Sequence, residues 1–306
     1  MSLQRISRDN VTSLRCLGTV RVGWISALCW SPGGDKLAIG GGDGIAIYVD
    51  GFGGAPSIRL RSPVAPVKDI AFSPDGKLLA AGRADMTIAL YVLAGHQASL
   101  SQTLSGHDGS IEALAFSPDG SLLASGGTDK AIRIWSVEAG EQVQALTGHP
   151  AGVTTLCFAC DSRRLYSAGR DGKIRCRDIE TWNKSDVIGR HADRIRRIAL
   201  RPGNTALASA SRDMMIGLWS LGKGTGSRSW RGHASGVDAL DFSPDGALLA
   251  SGGRDNAVRI WDADSARELT ALLAHRKPVL ALGFNAAGTM LASGAGDNQV
   301  KLWAIA

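Results

Sequence analysis

An aspartate recurs at Asp43, Asp85, Asp129, Asp171, Asp213, Asp255 and Asp297, always 42 or 44 residues from the last. A period of this length means one small unit repeated seven times, each too small to bury its own apolar face and so obliged to stack on its neighbours. The unit is clearest over residues 106–135, GHDGSIEALAFSPDGSLLASGGTDKAIRIW. Three short runs, Ile111 to Phe116, Leu122 to Ser125 and Ala131 to Ile134, are separated by Ser117-Pro118-Asp119-Gly120 and Gly127-Thr128-Asp129. The runs are too short, and the breaks too rich in Gly and Pro, for helices; they read as β-strands joined by turns. The first run is mostly apolar on both sides, as an inner strand wedged between neighbours must be. The third alternates, with Ile132 and Ile134 inward and Arg133 outward.

Other positions keep the same period. His107, His149, His191, His233 and His275 each precede their turn aspartate by 22 residues, and Trp135, Trp219, Trp261 and Trp303 follow theirs by six. Tyr91 and Arg177 take the Trp place in units 2 and 4, and the first unit is one residue shorter, ending at Tyr48. These correlated signatures resemble the WD-repeat (WD40) family, over about residues 10–304. The resemblance implies an all-β fold: a seven-bladed β-propeller with four antiparallel strands per blade around a central channel, making one domain of residues 1–306. After Trp303 too little chain remains for a fourth strand. Residues 11–19 are strand-like, and the resemblance implies that they return to complete blade 7 and so remove an open sheet edge.

The net charge of +6 and pI near 9.2 permit an acidic partner without requiring one. No block of five Lys or Arg occurs, so no nucleic-acid stripe is evident. No apolar run is long enough for a membrane helix, and the start MSLQRISRDN has no secretory core, so a cytoplasmic location and no membrane partner are expected. Five cysteines without framework spacing fit free thiols in a reducing compartment. Cys157 and Cys160 form a lone CxxC without the second pair a zinc site needs, and the glycine-rich Gly40 to Gly44 falls at a turn rather than at a phosphate loop. No cofactor is expected.

His, Ser and Asp recur together, which invites a hydrolase reading. Five copies at one spacing are a building block, however, and each serine sits on a strand rather than in a sharp GxSxG turn. The resemblance implies instead a structural hydrogen-bonded tetrad: His107, Ser125, Asp129, Trp135; His191, Ser209, Asp213, Trp219; His233, Ser251, Asp255, Trp261; and His275, Ser293, Asp297, Trp303. Blade 4 has His149, Ser167 and Asp171 but Arg177 for Trp. Blades 1 and 2 carry Arg21 and Pro63 in place of His, and Ile39 and Ala81 in place of Ser.

The family alignment also directs three positions per blade toward the top mouth of the channel: two flanking the first apolar residue of the inner strand, and one before the turn aspartate. Blades 4, 5 and 6 place Arg170, Arg194, Arg196, Arg212 and Arg254 there, where other blades make the same turn with Gly, Ala or Thr. Arginine suits carboxylate or phosphate, which its planar fork can hold bidentately. Trp24 is a candidate aromatic anchor, Lys68 adds charge, and Glu112 and Asp238 are expected to dilute the field. The expected function is a non-catalytic interaction scaffold that takes a peptide or subunit, acidic or phosphorylated, on its top face. Two alternatives stand beside it: a subunit of a nucleic-acid-associated complex, and a propeller enzyme, for which the aligned channel positions supply no metal or charged cluster.

Overall fold

Each repeat becomes a four-stranded antiparallel sheet in the computed structural model, which describes residues 3–305 other than 53, 63, 183, 184, 223–225 and 274. Seven such sheets form, six of them simple meanders from inner to outer strand, and together they make a seven-bladed propeller. Pro63, expected in the histidine place of blade 2, lies outside the described residues.

Turn chemistry sets the strand lengths. Between the first two strands of blade 3 the Ser117 hydroxyl accepts the Leu122 N–H at 2.9 Å and donates to Asp119 at 2.5 Å. Ser73 and Ser243 repeat this with Asp75 and Asp245, and in blade 7 the Asn285 side chain takes the serine's part by accepting the Met290 N–H. At the opposite end, the residue after the turn aspartate has positive φ in every blade: Gly44, Met86, Lys130, Gly172, Met214, Asn256 and Asn298. Five of these are not glycine, so the ladders on either side hold a backbone geometry that an L-residue would otherwise avoid.

The core lies between blades. Leu37, Leu79, Leu123, Leu165, Leu207, Leu249 and Leu291 occupy one place in the second strand, and each is at most 1% exposed. Neighbouring sheets approach so closely that a Cβ on Gly126 would lie 2.4 Å from the Val153 side chain of the next blade, and one on Gly252 2.5 Å from Val279. Polar braces cross the same gaps. The Leu114 N–H of blade 3 donates to Asp69 of blade 2 at 2.8 Å, and the Phe284 N–H of blade 7 donates to Asp241 of blade 6 at 2.9 Å.

The N-terminal segment closes the ring. The region expected as strand over 11–19 divides: Val11–Ser13 is a short 3-10 turn and the strand is Arg15–Arg21. That strand pairs antiparallel with Gln299–Ala304, from Arg15 opposite Ala304 to Arg21 opposite Gln299. The arm before it is also fastened. Ile6, Val11 and Leu14 are buried with Leu248, Phe284 and Trp303. Arg5 pairs with Asp245 at 3.3 Å, and Arg8 pairs with Asp262 at 2.8 Å and Asp264 at 2.5 Å.

Candidate functional site: the top rim and channel mouth

The four implied tetrads are present. In blade 3, Asp129 lies 2.7 Å from His107 Nδ1, Ser125 lies 2.7 Å from His107 Nε2, and the Trp135 indole N–H donates to Ser125 at 2.8 Å. Blades 5, 6 and 7 repeat the chain through His191, His233 and His275. Ser125, Ser209, Ser251 and Ser293 are all 0% exposed. A nucleophile sealed in this way, with its oxygen already engaged by an indole, meets no substrate; the group satisfies buried polar atoms and locks strands.

Blade 4 shows what replaces a missing member. His149 keeps Asp171 at 2.7 Å and Ser167 at 3.0 Å. The residue after His149 is Pro150, which has no N–H to give the aspartate, whereas Asp108 and Ala192 give one in their blades. Arg175 supplies that donor to Asp171 at 2.8 Å. Arg177, in the Trp place, is buried and donates to the Thr147 carbonyl, and its Nε has no hydrogen-bond partner among the described residues. Arg177→Trp is therefore expected to complete the tetrad on Ser167 and raise stability by about 1 kcal/mol. Urea denaturation checks this, and an unchanged midpoint would show that the pocket has adapted to arginine.

A β-bulge in each inner strand builds the mouth of the channel. The register skips one residue in all seven blades, at Ser26, Lys68, Glu112, Thr154, Arg196, Asp238 and Leu280. A bulge leaves its extra residue unpaired and re-aims it, and all seven line one cavity of about 340 Å3 at the mouth.

The arginines are not spread evenly along an arc. Arg196, Arg212 and Arg254 converge on Asp238, their Nε atoms 3.3, 3.4 and 2.8 Å from its oxygens. These contacts are close but not aligned as hydrogen bonds, so they act as charge pairs. Asp238 therefore does not dilute the rim as a free carboxylate; its side chain is fully buried and serves as the hub around which three guanidinium groups gather. Burial pushes Arg212 below its ordinary pKa, and the charges of Arg254, Arg194 and Arg196 add to that against the pull of Asp238. The Arg194 charge is thus felt at Arg212, although Arg194 makes no ion pair with Asp238 among the described residues. Arg170 is exposed beside Gly152 and has no ion pair among the described residues. Across the mouth Trp24 is 44% exposed, with the Lys68 ammonium 4.9 Å from its ring centroid, and Glu112 accepts the Ser110 hydroxyl at 2.9 Å.

Sequence reasoning missed Arg197. Strict alternation puts it on the face opposite Arg196, but the bulge turns both into the channel, and both line the cavity. Its Nη1 lies 3.5 Å from Asp69 of blade 2, on the far side of the ring. At the CxxC, burial pushes the Cys157 thiol up to about 12, and no group of three or more His, Cys, Asp or Glu side chains placed to hold a metal ion occurs among the described residues. No helix among the described residues is long and apolar enough to cross a membrane.

No curated protein matches the chain. A family model does, seven times: WD40 (WD domain, G-beta repeat) fits residues 12–48, 56–92, 98–136, 140–178, 182–220, 224–262 and 266–304, one repeat for each blade. The chain belongs to the WD40 repeat family.

Proposed function

We propose that this propeller is a non-catalytic scaffold that binds an acidic or phosphorylated segment of a partner protein on its top rim. WD40 propellers are generally protein-interaction scaffolds, and they typically bind proteins or peptides. The observation that carries the finer reading is the gathering of Arg196, Arg212 and Arg254 around the single buried Asp238, with the Arg194 charge felt at Arg212. One carboxylate cannot neutralise three guanidinium groups, and holding them together costs self-repulsion that a bound anion relieves. Trp24, half-exposed under Lys68, offers the same partner an apolar anchor.

The test is affinity capture of partners by wild type and by Arg194→Glu with Arg212→Glu, followed by titration of the captured partner's segment. Reversing two central charges is expected to weaken binding roughly a hundredfold, and about 0.5 M salt to weaken the wild type strongly. Arg59→Glu, on the exposed outer strand of blade 1, serves as the control and is expected to bind normally. A partner lost with Arg59→Glu but kept by the double variant would place binding on the outer strands and overturn the reading.

A further inference from the structure

Below the rim, the channel carries its own chemistry. Arg197 of blade 5 and Asp69 of blade 2 meet across it, and the Arg197 charge is felt still more widely. Burial raises the pKa of Asp69, Asp241, Cys29 and Cys157, and in each case Arg197 offsets part of the rise. Those four groups belong to blades 2, 6, 1 and 4, so the guanidinium lies centrally in the ring. Its side chain is nonetheless 43% accessible, held by one 3.5 Å contact.

A count of unspent donors and acceptors around the cavity gives a sign. Of its three carboxylates, Asp69 accepts the Leu114 N–H at 2.8 Å and pairs with Arg197, Asp238 is fully buried and charge-paired with the arginines without an aligned hydrogen bond, and Glu112 accepts Ser110 through one oxygen. The cations do not. Arg196 and Arg254 touch Asp238 through Nε, and no hydrogen bond is donated by their Nη groups among the described residues. Lys68 rests over Trp24, and Arg197 is half-open to the cavity. The remaining coordination is therefore mainly cationic, with one Glu112 oxygen against it, and it converges from blades 2, 5 and 6 on a space of about 340 Å3, room for roughly ten waters or one compact solute.

We propose that the channel mouth is a binding socket for a compact anion with two or more closely spaced oxyanion groups, phosphate or carboxylate, seated on Arg197, Arg196, Arg254 and Lys68. A ligand entering from the rim meets Arg197 in the middle of the ring, so it enters end-on rather than threading through. The oxyanions come either from a free small molecule or from the acidic tip of a bound protein. The socket shares Arg196, Arg254 and Lys68 with the rim reading and so deepens it, but Arg194 and Arg212 do not line the cavity and Arg197 belongs to the socket alone, which lets variants at these positions separate the two.

Isothermal titration at low salt with inorganic pyrophosphate, with citrate and with a peptide ending in two aspartates tests the proposal, with magnesium chloride as the cation arm. Saturable one-to-one binding by at least one anion is expected, weakened about tenfold or more in Arg197→Ala and retained in part by Arg197→Lys. Binding of pyrophosphate or citrate assigns the socket to a free ligand; binding of the peptide alone assigns it to a partner's tip. If Arg197→Ala folds poorly for want of its pair with Asp69, the half-buried Lys68→Ala is expected to weaken the same titration. Arg194→Glu with Arg212→Glu is expected to lose the partner captured on the rim while still filling the socket. No saturable binding by any of the three anions, tighter binding of magnesium, or equal affinity in the wild type and both socket variants would overturn the proposal.

Discussion

Deleting residues 1–21 is expected to abolish cooperative folding. The deletion strips the outer strand from blade 7 and exposes the backbone of Gln299–Ala304 as an open edge. It also removes Ile6, Val11, Leu14 and Val20, all at most 5% exposed. Burying four such side chains contributes about 6–12 kcal/mol, which is as much as the whole net stability of an ordinary domain. The truncated chain is expected to aggregate through the freed edge. A shorter deletion of residues 1–14 separates the two contributions. It keeps the strand Arg15–Arg21 but loses Ile6, Val11, Leu14 and the ion pairs of Arg5 and Arg8, and it is expected to fold with a markedly lower melting temperature. A 1–21 deletion that stays soluble and melts like the full chain would show that blade 7 needs no closing strand.

The second large effect is a loss of stability in mild acid. Burial lowers the pKa of His107, His149, His233 and His275 below the ordinary value, against the pull of the aspartates they face. Below pH 6.5 the unfolded chain takes up protons on these side chains that the folded chain refuses, so stability falls as the pH falls. Two carboxylates work the other way. Burial raises Asp69, and pushes Asp241 up to about 6, so between pH 6 and the ordinary carboxylate range the folded chain binds protons there more readily than the unfolded one. Four histidines outnumber the two carboxylates, so the net expectation in that window is still a loss of stability as the pH falls. Below the carboxylate range, Asp171, Asp213, Asp255 and Asp297 extend the loss. Burial alone would raise them, but hydrogen bonds from His, with Arg175 at Asp171 and backbone N–H groups at the other three, outweigh it and hold them low. Urea midpoints at pH 7.5, 6 and 5 measure the slope. His233→Gln is expected to flatten it, and Asp241→Asn, which can still accept the Phe284 N–H, to steepen it below pH 6. A stability that does not change between pH 7.5 and 5 would mean the buried histidines accept protons in place.

The period made the propeller legible because the residues that hold each blade together recur with it. Asp129, His107, Ser125 and Trp135 satisfy one another within thirty residues of chain, and their spacing reports the same local geometry wherever it returns. Much of the mouth was legible for the same reason, since aligned positions share an orientation. Two features were not. Asp238 reads as one more surface acid until the packing of blade 5 on blade 6 brings Arg196 and Arg212 to it beside Arg254 of its own blade. Arg197 and Asp69 are 128 residues apart and belong to blades that never pack together; only the closed ring makes them face each other. The bulge that turns Arg197 inward breaks the alternation on which a strand's two faces are normally assigned.

The seven inner-strand bulges divide the chain's labour. At each one the backbone departs from its ladder, and apart from Ser26 and Thr154, which donate to the Val67 and Ile195 carbonyls of the next blade, the side chains there donate no hydrogen bond between strands among the described residues. The folding signals sit elsewhere, in the tetrads, the turn serines and the seven buried leucines. The ring Ser26, Lys68, Glu112, Thr154, Arg196, Asp238 and Leu280 therefore works as a seven-letter word written around the axis, in which most letters can change without erasing the page. New specificity can be acquired here one blade at a time, on a scaffold whose stability is secured by other residues.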